Sequence, residues 1–497
     1  MRNMLRPTLV GALAVGIAAC ADDPRLGTDP LRPSFAARGR APSVFVVDVS
    51  RDTTAQNETP VAANPTNPDN LLTAANDWNY NDGVAYNVSF DGGRTWSATL
   101  PDGFIPGLTR YTNDASTPGT GFYDAAGDPA VAYGPDGTAY LAAQAFNFFT
   151  PPYQIALYVT RSSDGGSHWS ANPVQVSAWE NKIGKSKGSE GQFPDHESMA
   201  VDNNRASPFY GSVYVTWVQF NGFGTHSPVQ VAHSRDGAGT FSTPVQVTKG
   251  PIRNNQDARI AIGPDGTLYL TFDNGIQGGK GTANYVSVSQ DGGVTWTPPV
   301  IFSVYNNAVC LFPPFCFNIP GAPFRAPSSY PAPAFDPVRG RLLVAYTDVD
   351  ASGRANAYVT WAPAARAADP AAWSTPVVLA GAGDRFGAEL SVAPGGRYDL
   401  MFDDRSYSGN AVVDVTYATS GDGGASWTET RVSTAGFDPA HYGVPCGSCA
   451  TGIRPFIGDY NGIASLSDHA VMTWTGVAPK TGALNTNLEI FFGSVTP

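Results

Sequence analysis

Short apolar runs alternate with turn residues along most of this chain, and pairs of such runs recur at regular intervals. The clearest pairs lie at 128–143 (DPAVAYGPDGTAYLAA), 257–272 (DARIAIGPDGTLYLTF) and 333–348 (PAFDPVRGRLLVAYTD). Apolar and polar residues alternate within each run, and Gly, Pro, Asn or Asp separates the two runs, which is typical of a β-hairpin. Four less regular copies lie at 58–78, 197–217, 388–404 and 458–474. The pattern therefore predicts seven hairpins.

A second repeat, an eight-residue turn of the form S-x-D-G-G-x-T-W, is out of phase with these hairpins. Its five copies lie at 89–96, 162–169, 234–241, 289–296 and 420–427. The gap between the last two copies is about twice the earlier gaps, so we expect a sixth, degenerate copy near Asp369 to Trp373. Recurrence of such a pattern at intervals of this size predicts repeated structural units.

Each residue of this turn has a structural use. The Asp carboxylate can accept hydrogen bonds from backbone N–H groups, the glycines permit positive φ, and the Trp or Phe can bury a large ring between units. We assign this scaffold role to Asp91, Trp96, Asp164, Trp169, Asp236, Phe241, Asp291, Trp296, Asp422 and Trp427. The turns resemble the Asp-box, or BNR, repeats of sialidases and related β-propellers, and are called Asp-box turns.

The two repeats together predict an all-β protein, a β-propeller of four-stranded blades over residues 42–497. Each hairpin would supply the two inner strands of a blade, and each Asp-box turn would join the third strand to the fourth. Seven hairpins predict seven blades; the six-bladed ring of sialidases is the alternative if one weak hairpin is an insertion. We expect 487–495 to pair with 42–49, so that the two chain ends close the ring and remove its open edge.

The N-terminal segment has the features of an export signal. Arg2 and Arg6 precede an apolar run from Thr8 to Ala19, which is too short to span a bilayer. The residues before Cys20 resemble the lipobox of bacterial lipoproteins. We therefore expect a lipoprotein-type signal peptide at 1–19, a lipidated Cys20 and a flexible tether at 20–41, with an ordinary signal peptide as the alternative. This predicts an exported protein, anchored to a membrane at the cell surface or in the periplasm.

Composition narrows the class of partner. The net charge is −12 and the aromatic content is 11%, so the chain is neither disordered nor equipped with the basic stripe that nucleic acid requires. We expect a monomer.

Four cysteines of the predicted mature chain lie in two close pairs. In an exported chain these pairs predict two local disulfides, one between Cys310 and Cys316 and one between Cys446 and Cys449. A redox CxxC motif at the second pair, or a four-Cys metal site, are the alternatives.

Ligands of propellers usually bind at the channel mouth, where the innermost strands begin. Polar side chains predicted there are Glu58, Asp77, Asp128, Asp195, His196, Glu197, Asp257, Arg259, Arg325, Tyr330, Asp348, Asp384, Arg385, Glu389, Asp403, Asp404, Arg405, Arg454, Asp459 and Tyr460. Such a ring could bind a sugar, a peptide or a cation, or its members could cap strands and pair with one another. Its carboxylates would also suit a structural calcium ion.

The sialidase resemblance implies a specific catalytic set. Sialidases share three arginines that hold the substrate carboxylate, a Tyr nucleophile activated by a Glu, and an Asp acid/base. The candidates for these roles are Arg325, Arg405, Arg454, Tyr460, Glu389 and Asp459. However, the early Phe/Tyr-Arg-Ile-Pro motif is replaced by 57–60 (NETP), and 324–327 (FRAP) follows the fourth Asp-box turn.

Two functional hypotheses follow. One is a cell-surface or periplasmic propeller that binds glycan or protein at the channel mouth without classical sialidase catalysis. The other is an exo-acting glycoside hydrolase of exo-α-sialidase type that uses the arginine cluster and the Tyr nucleophile. The missing early arginine favours the first. The Pro- and aromatic-rich insert 303–327 is long enough to cover the channel.

Overall fold

The structure is a computed structural model that describes residues 42–51, 54–78, 83–97, 104–110, 118–147, 154–180, 192–221, 226–275, 282–306, 319–447, 449–478 and 486–497. The predicted signal peptide 1–19, Cys20 and the tether 20–41 lie outside the described residues. Pro42–Pro497 forms one compact unit. None of the helices described is long and apolar enough to cross a membrane.

In the described part of the chain, thirty strands form seven antiparallel four-stranded sheets and one short hairpin. Six of the sheets are built from strands that are consecutive in the chain, and the seventh combines the first strand with the last three. The strands are β1 Ser43–Asp48; β2 Gln56–Asn57, β3 Val61–Asn64, β4 Asn67–Asp77 and β5 Gly83–Ser89; β6 Ala125–Tyr133, β7 Ala139–Phe146, β8 Gln154–Ser162 and β9 Val174–Glu180; β10 Gln192–Val201, β11 Val213–Asn221, β12 Val229–Ser234 and β13 Val245–Gln246; β14 Gln256–Ile262, β15 Leu268–Asp273, β16 Ala283–Ser289 and β17 Val300–Val304; β18 Ala332–Asp336, β19 Arg341–Val349, β20 Ala355–Pro363 and β21 Val377–Leu379; β22 Arg385–Val392, β23 Tyr398–Asp404, β24 Asp414–Ser420 and β25 Thr428–Arg431; β26 Val444–Pro445 and β27 Ile453–Arg454; β28 Gly462–Ser465, β29 Ala470–Gly476 and β30 Glu489–Thr496. Short 3-10 turns lie at Ala364–Arg366, Pro370–Ala372 and Ser406–Ser408.

These sheets are the blades of a seven-bladed β-propeller, and they are numbered 1 to 7 in the order in which β2, β6, β10, β14, β18, β22 and β28 begin them. Each predicted hairpin forms the inner part of one blade, which excludes the six-bladed alternative. In blade 1 the inner strand is interrupted between β2 and β3, and an isolated bridge from Ala85 to Phe104 marks the outer position. The inner strands contact one another from blade to blade, and β28 contacts β3 to complete the ring.

The chain ends close blade 7, as the sequence predicted. Strand β1 is the outer strand of this blade and pairs antiparallel with β30, from Ser43 opposite Thr496 to Asp48 opposite Phe491. Strand β30 in turn pairs with β29. Because the first strand completes the last blade, the ring cannot open without breaking this ladder.

The Asp-box turns join third to fourth strands, and their hydrogen bonds match the predicted use of each residue. In the first turn the Asp91 carboxylate accepts hydrogen bonds from the backbone N–H and the hydroxyl of Thr95, at 2.9 and 2.7 Å. The indole N–H of Trp96 donates to the Gly93 carbonyl at 2.9 Å. At the expected sixth position, in blade 5, the contact differs, because the Trp373 indole donates to the Ala367 carbonyl, six residues earlier, at 3.1 Å. Hydrogen bonds of this kind are what the predicted scaffold role of the turns requires.

The core consists of apolar layers between neighbouring blades, into which the Asp-box rings pack. Trp96 lies 5.2 Å from Phe492 of blade 7, and Trp169 lies 5.3 Å from Tyr86 of blade 1. A further apolar cluster around Phe324 covers blades 5 to 7 on the face where the inner strands begin.

The two predicted disulfides have different outcomes. The disulfide between Cys446 and Cys449 forms in the loop between β26 and β27. The predicted disulfide between Cys310 and Cys316 falls in the segment 307–318, outside the described residues. The pairing of Cys310 with Cys316 therefore stays a prediction from the sequence.

Candidate functional site

The innermost strand of every blade enters the channel through one residue with left-handed backbone. These residues, with φ between 44° and 107°, are Glu58, Asp128, His196, Asp257, Tyr330, Gly387 and Gly458. In blades 2, 3, 4 and 6 the pairing register shifts at the same point, as it does at β-bulges near active sites. A left-handed conformation costs a non-glycine residue about 1–2 kcal/mol. Such strain persists only where surrounding contacts impose it.

Contacts of that kind connect successive blades. The backbone N–H of Asp128 donates to Asn76 of blade 1 at 2.7 Å. The N–H of His196 donates to the Asp128 carboxylate at 3.0 Å, and the His196 Nδ1 lies 2.9 Å from Asp257 Oδ1. Contacts between neighbouring blades therefore hold these strained residues and join separate strand starts into one belt.

The belt continues across the ring closure. The backbone N–H of Asp459, in blade 7, donates to Glu58 Oε1 in blade 1 at 3.2 Å. The amide of Asn76 donates to the other carboxylate oxygen of Glu58 at 2.5 Å. Blades 4 and 5 are joined in the same way, because the N–H of Tyr330 donates to Asp273 at 3.2 Å.

Aromatic rings from blades 3, 5 and 7, no two of which are adjacent, meet where the inner strands begin. The imidazole of His196 lies 4.8 Å from the ring of Tyr330 and 4.9 Å from the ring of Tyr460. The Tyr460 hydroxyl donates to the Pro129 carbonyl of blade 2 at 3.0 Å. These three rings therefore pack together and connect blades that are not adjacent. The name mouth floor is used for Glu58, Asp128, Asp195, His196, Glu197, Asp257, Arg259, Arg325, Tyr330, Glu389, Asp459 and Tyr460.

The two arginines of the mouth floor, Arg259 and Arg325, each form an ion pair with a carboxylate from another blade. Arg259 lies 2.6 Å from Asp257 and 2.5 Å from Glu389 of blade 6. Arg325 lies 2.5 Å from Asp459. Burial alone would raise the pKa of Asp257, but Arg259 and then His196 outweigh it and hold that pKa below the usual range. Both arginines are therefore held in ion pairs that are largely removed from water.

The three arginines proposed for a substrate carboxylate have separate surroundings. Arg325 also stacks on Phe456, with 4.2 Å from Cζ to the ring centre. Arg405 is bound to Asp384 at 3.1 Å and donates to the Asn410 carbonyl. Arg454 is exposed on β27. Among the contacts of the described residues, only those of Arg325 reach the mouth floor.

The proposed Tyr–Glu pair is not formed either. Glu389 binds Arg259, whereas the Tyr460 hydroxyl is bound to the Pro129 carbonyl. Burial, followed by the charges of Glu58 and Asp128, raises the pKa of Tyr460 well above its ordinary value. A Tyr nucleophile requires the opposite effect, since it must lose its proton near neutral pH.

The remaining carboxylates are crowded and poorly compensated. Burial, and next the charge of Asp128, raises the pKa of Asp195 to about 8 and raises the pKa of Glu197 well above its usual range. Asp195 accepts a hydrogen bond from the Gln256 amide. The backbone N–H groups of Glu197 and Gln144 partly oppose the shift for Glu197, although neither of its carboxylate oxygens has a hydrogen bond of regular geometry among the described residues. The same residues contain no cluster of three or more His, Cys, Asp or Glu arranged to hold a metal ion.

Sequence reasoning named every side chain of the mouth floor but not the amide and carbonyl partners. Asn76, Gln256 and Pro129 were missed, because only the folded ring shows which neutral groups face it. The other members of the predicted polar ring lie outside the mouth floor: Asp77, Asp348, Asp384, Arg385, Asp403, Asp404, Arg405 and Arg454. Arg385, for example, donates to both carboxylate oxygens of Glu429 at 2.7 and 2.8 Å.

Comparison with known proteins identifies only distant similarities. No protein-family model and no curated protein sequence matches this chain. Among solved structures, a Dyadobacter fermentans protein of unknown function is 12% identical over 91% of this chain and 99% of its own, with a TM-score of 0.48. A Penicillium chrysogenum α-L-arabinanase is 13% identical over 91% and 98%, with a TM-score of 0.44. The leech intramolecular trans-sialidase is 12% identical over 73% and 67%, with a TM-score of 0.45. Similarity of this degree transfers no ligand or reaction to this chain.

Proposed function

We propose that this protein is a propeller that binds a glycan at its channel mouth and does not carry out sialidase chemistry. The observation that supports this most is the internal pairing of the groups a sialidase would need. Arg325 and Arg405 are bound to carboxylates, and the Tyr460 hydroxyl is bound to a backbone carbonyl. Groups held in this way can shape a binding surface, but they would have to leave their partners to act on a substrate.

Several groups of the mouth floor remain partly exposed and suit a sugar. They are Asp128, Asp195, Arg259, Arg325 and Tyr460. Sugar hydroxyls are donors and acceptors, and carboxylates and guanidinium groups offer the complementary partners. The partly exposed Tyr460 ring adds an apolar face to these polar groups, the combination typical of small-ligand sites. Lipidation of Cys20 would hold such a surface at a membrane facing external glycans, and loss of incorporated lipid in a Cys20→Ser variant tests that anchoring.

A glycan-array screen with full-length protein tests the proposed binding function. We expect binding to a defined set of glycans that is lost in Asp195→Asn, because that substitution replaces one oxygen of a partly exposed carboxyl group by an amide NH2 donor. Asp468→Asn is the matched control, since Asp468 is highly exposed and lies in the turn between β28 and β29, away from the strand starts. Binding that survives Asp195→Asn unchanged, or no binding by a folded protein, contradicts the proposal.

A further inference from the structure

The face opposite the channel mouth, where the Asp-box turns lie, carries bridges between neighbouring blades. Arg161 of blade 2 donates to the Gly237 carbonyl of blade 3 at 2.8 Å. Arg235 of blade 3 donates to the Gly292 carbonyl of blade 4 at 2.6 Å. Both acceptors are the first glycine after the aspartate in the next blade's Asp-box turn. At these junctions the turn is therefore bound directly to the preceding blade.

The junction of blades 4 and 5 is built differently. Gln290 of blade 4 stands at the turn position that Arg235 occupies in blade 3, and its side chain is exposed. Blade 5 offers no glycine turn as an acceptor, because 3-10 turns at 364–366 and 370–372 lie there instead. On this face, the described residues of the two blades share no hydrogen bond. Packing joins the blades here, with 6.0 Å between the ring centres of Tyr269 and Phe335.

A cleft of about 780 Å³ lies at this junction, and its volume is within the range of small-ligand sites. It is called the 4/5 cleft. Blade 4 contributes Asp265, Tyr269, Gln290 and Trp296 to its walls, and blade 5 contributes Phe335 and alanines of 364–368. The corresponding cleft between blades 1 and 2 has about 520 Å³. The missing glycine turn, and the alanines that stand in its place, account for the larger opening.

The walls of the 4/5 cleft combine aromatic rings with polar groups. Trp296 is half-buried and packs against the apolar layer between blades 3 and 4. Burial raises the pKa of Tyr269 to about 12, so its hydroxyl stays neutral. Asp265 and Gln290 are exposed, whereas the Asp291 carboxylate is bound within its own turn. No Lys, Arg or His is among the described lining residues, so the cleft offers donors and acceptors without positive charge.

A neutral sugar ring fits these walls. Its C–H groups form an apolar face that can pack on aromatic rings, and its hydroxyls both donate and accept, which matches the Gln290 amide and the Asp265 carboxylate. An anionic sugar would meet carboxylates without a compensating cation. An extended peptide that adds a strand would need a free strand edge, whereas β15 and β16, the strands that line the cleft, are each paired on both sides.

We propose that the 4/5 cleft is a second glycan-binding site of this protein, on the face opposite the channel mouth, and that it takes a neutral sugar. Gln290 and Asp265 bind the sugar hydroxyls, and Trp296 and Tyr269 contact its apolar face. This site goes beyond the binding proposed for the mouth and does not depend on it. A protein with both sites can hold two glycans at once, one on each face.

Binding of full-length protein to an array of gluco-, manno-, galacto- and xylo-oligosaccharides, with 3′-sialyllactose as the anionic probe, tests this site. Ala368→Trp fills the cleft and should weaken binding of at least one neutral probe by at least about tenfold. Gln290→Ala should weaken binding of the same probe about three- to tenfold, the effect of one lost hydrogen bond. Asp195→Asn, in the mouth, should leave that probe bound.

The matched control is Ala425→Trp, which places the same ring in the Asp-box turn of blade 6. Arg94 and Val294 occupy this turn position in blades 1 and 4, so we expect a large side chain to be tolerated and every probe to bind as in the wild type. Because Gln290 is exposed, its truncation decides the question if Ala368→Trp does not fold. Hydrogen exchange localises the bound probe independently, since exchange should slow in 264–269 and 364–368 but not in 195–197.

The outcomes separate this site from the mouth. A neutral probe that is lost in Ala368→Trp and retained in Asp195→Asn supports the cleft site. Neutral probes that are lost in Asp195→Asn and retained in Ala368→Trp assign glycan binding to the mouth alone and overturn the cleft site. Binding of 3′-sialyllactose that Ala368→Trp removes overturns the neutral ligand. Binding of no neutral probe, by a wild type that thermal unfolding shows to be folded, overturns the cleft site as well.

Discussion

At the scale of single residues, left-handed backbone occurs at two kinds of position in this propeller. In the Asp-box turns it falls mostly on glycine, for example at Gly93 and Gly293, with φ of 84° and 92°. On the mouth floor it falls on charged or aromatic residues such as Asp128 and His196. The turn glycines could be predicted from the repeated motif. The mouth-floor positions could not, because their residue types differ from blade to blade and only cross-blade hydrogen bonds impose the conformation.

Two glycine substitutions separate backbone strain from packing. A Cβ on Gly93 would lie 2.3 Å from the Phe492 ring, whereas a Cβ on Gly293 would lie 3.5 Å from Tyr214. Gly293→Ala should cost about 1–2 kcal/mol of unfolding free energy, from positive φ alone. Gly93→Ala should cost a further ~1–3 kcal/mol, because the ring must move. Urea unfolding measures both, and equal losses would show that the Trp96–Phe492 contact is looser than described.

Asp403 should make stability depend on pH. Burial, with Asp404 and Glu389 as further contributors, raises its pKa to about 8, although the Asn461 amide partly opposes the shift. The unfolded value is about 4, so the folded state holds the proton between these values. Stability should therefore fall as pH rises from about 4 to 8, by about 1 kcal/mol per unit from this group.

The matched variant for this effect is Asp403→Asn, which keeps a polar side chain beside Asn461. Its stability should fall less steeply than that of the wild type between about pH 5 and 8, as measured by urea unfolding at each pH. Parallel curves for the two proteins would mean that Asp403 is ionised throughout the range.

At the scale of elements, the hairpins and the ring closure followed from sequence, whereas the strand interruptions did not. Alternating apolar residues and turn dipeptides are local signals, so all seven inner hairpins were predicted. The register shifts at Asp128, His196, Asp257 and Gly387 depend on contacts between blades, which a single sequence does not display. The insert 303–327 is long enough to cover the channel, and its described part packs Phe324 against Phe386, with 5.6 Å between the ring centres.

Substitutions at two valines of strand β1 test whether this strand is needed to close the ring. Val47 packs into the layer between blades 7 and 1, whereas Val44 is 37% exposed on the same strand. Val47→Asp should lower the unfolding free energy by about 2–3 kcal/mol by burying a charge. Val44→Asp should change it by less than about 0.5 kcal/mol. Hydrogen exchange should show faster exchange in β30 for Val47→Asp only, and unchanged β30 protection would show that the ring does not depend on β1.

At the scale of the whole molecule, seven blades bring distant parts of the chain into one polar cluster. Arg259 and Glu389 are 130 positions apart and form one ion pair. The backbone N–H of Asp459, in the last blade, donates to the carboxylate of Glu58, in the first. The sequence predicted which side chains would gather at the mouth. It could not predict their pairing, because the pairing depends on which blades face each other across the channel. That pairing is what argues against sialidase chemistry.

Hydrolysis of a fluorogenic sialoside by full-length protein, beside Arg325→Ala and Tyr460→Phe, tests the absence of this chemistry most directly. Because Arg325 is bound to Asp459 and Tyr460 to Pro129, we expect no turnover above the protein-free control in any of the three. Turnover by the wild type that is lost in both variants would show that these groups do act on substrate, and would contradict a purely binding role for the mouth.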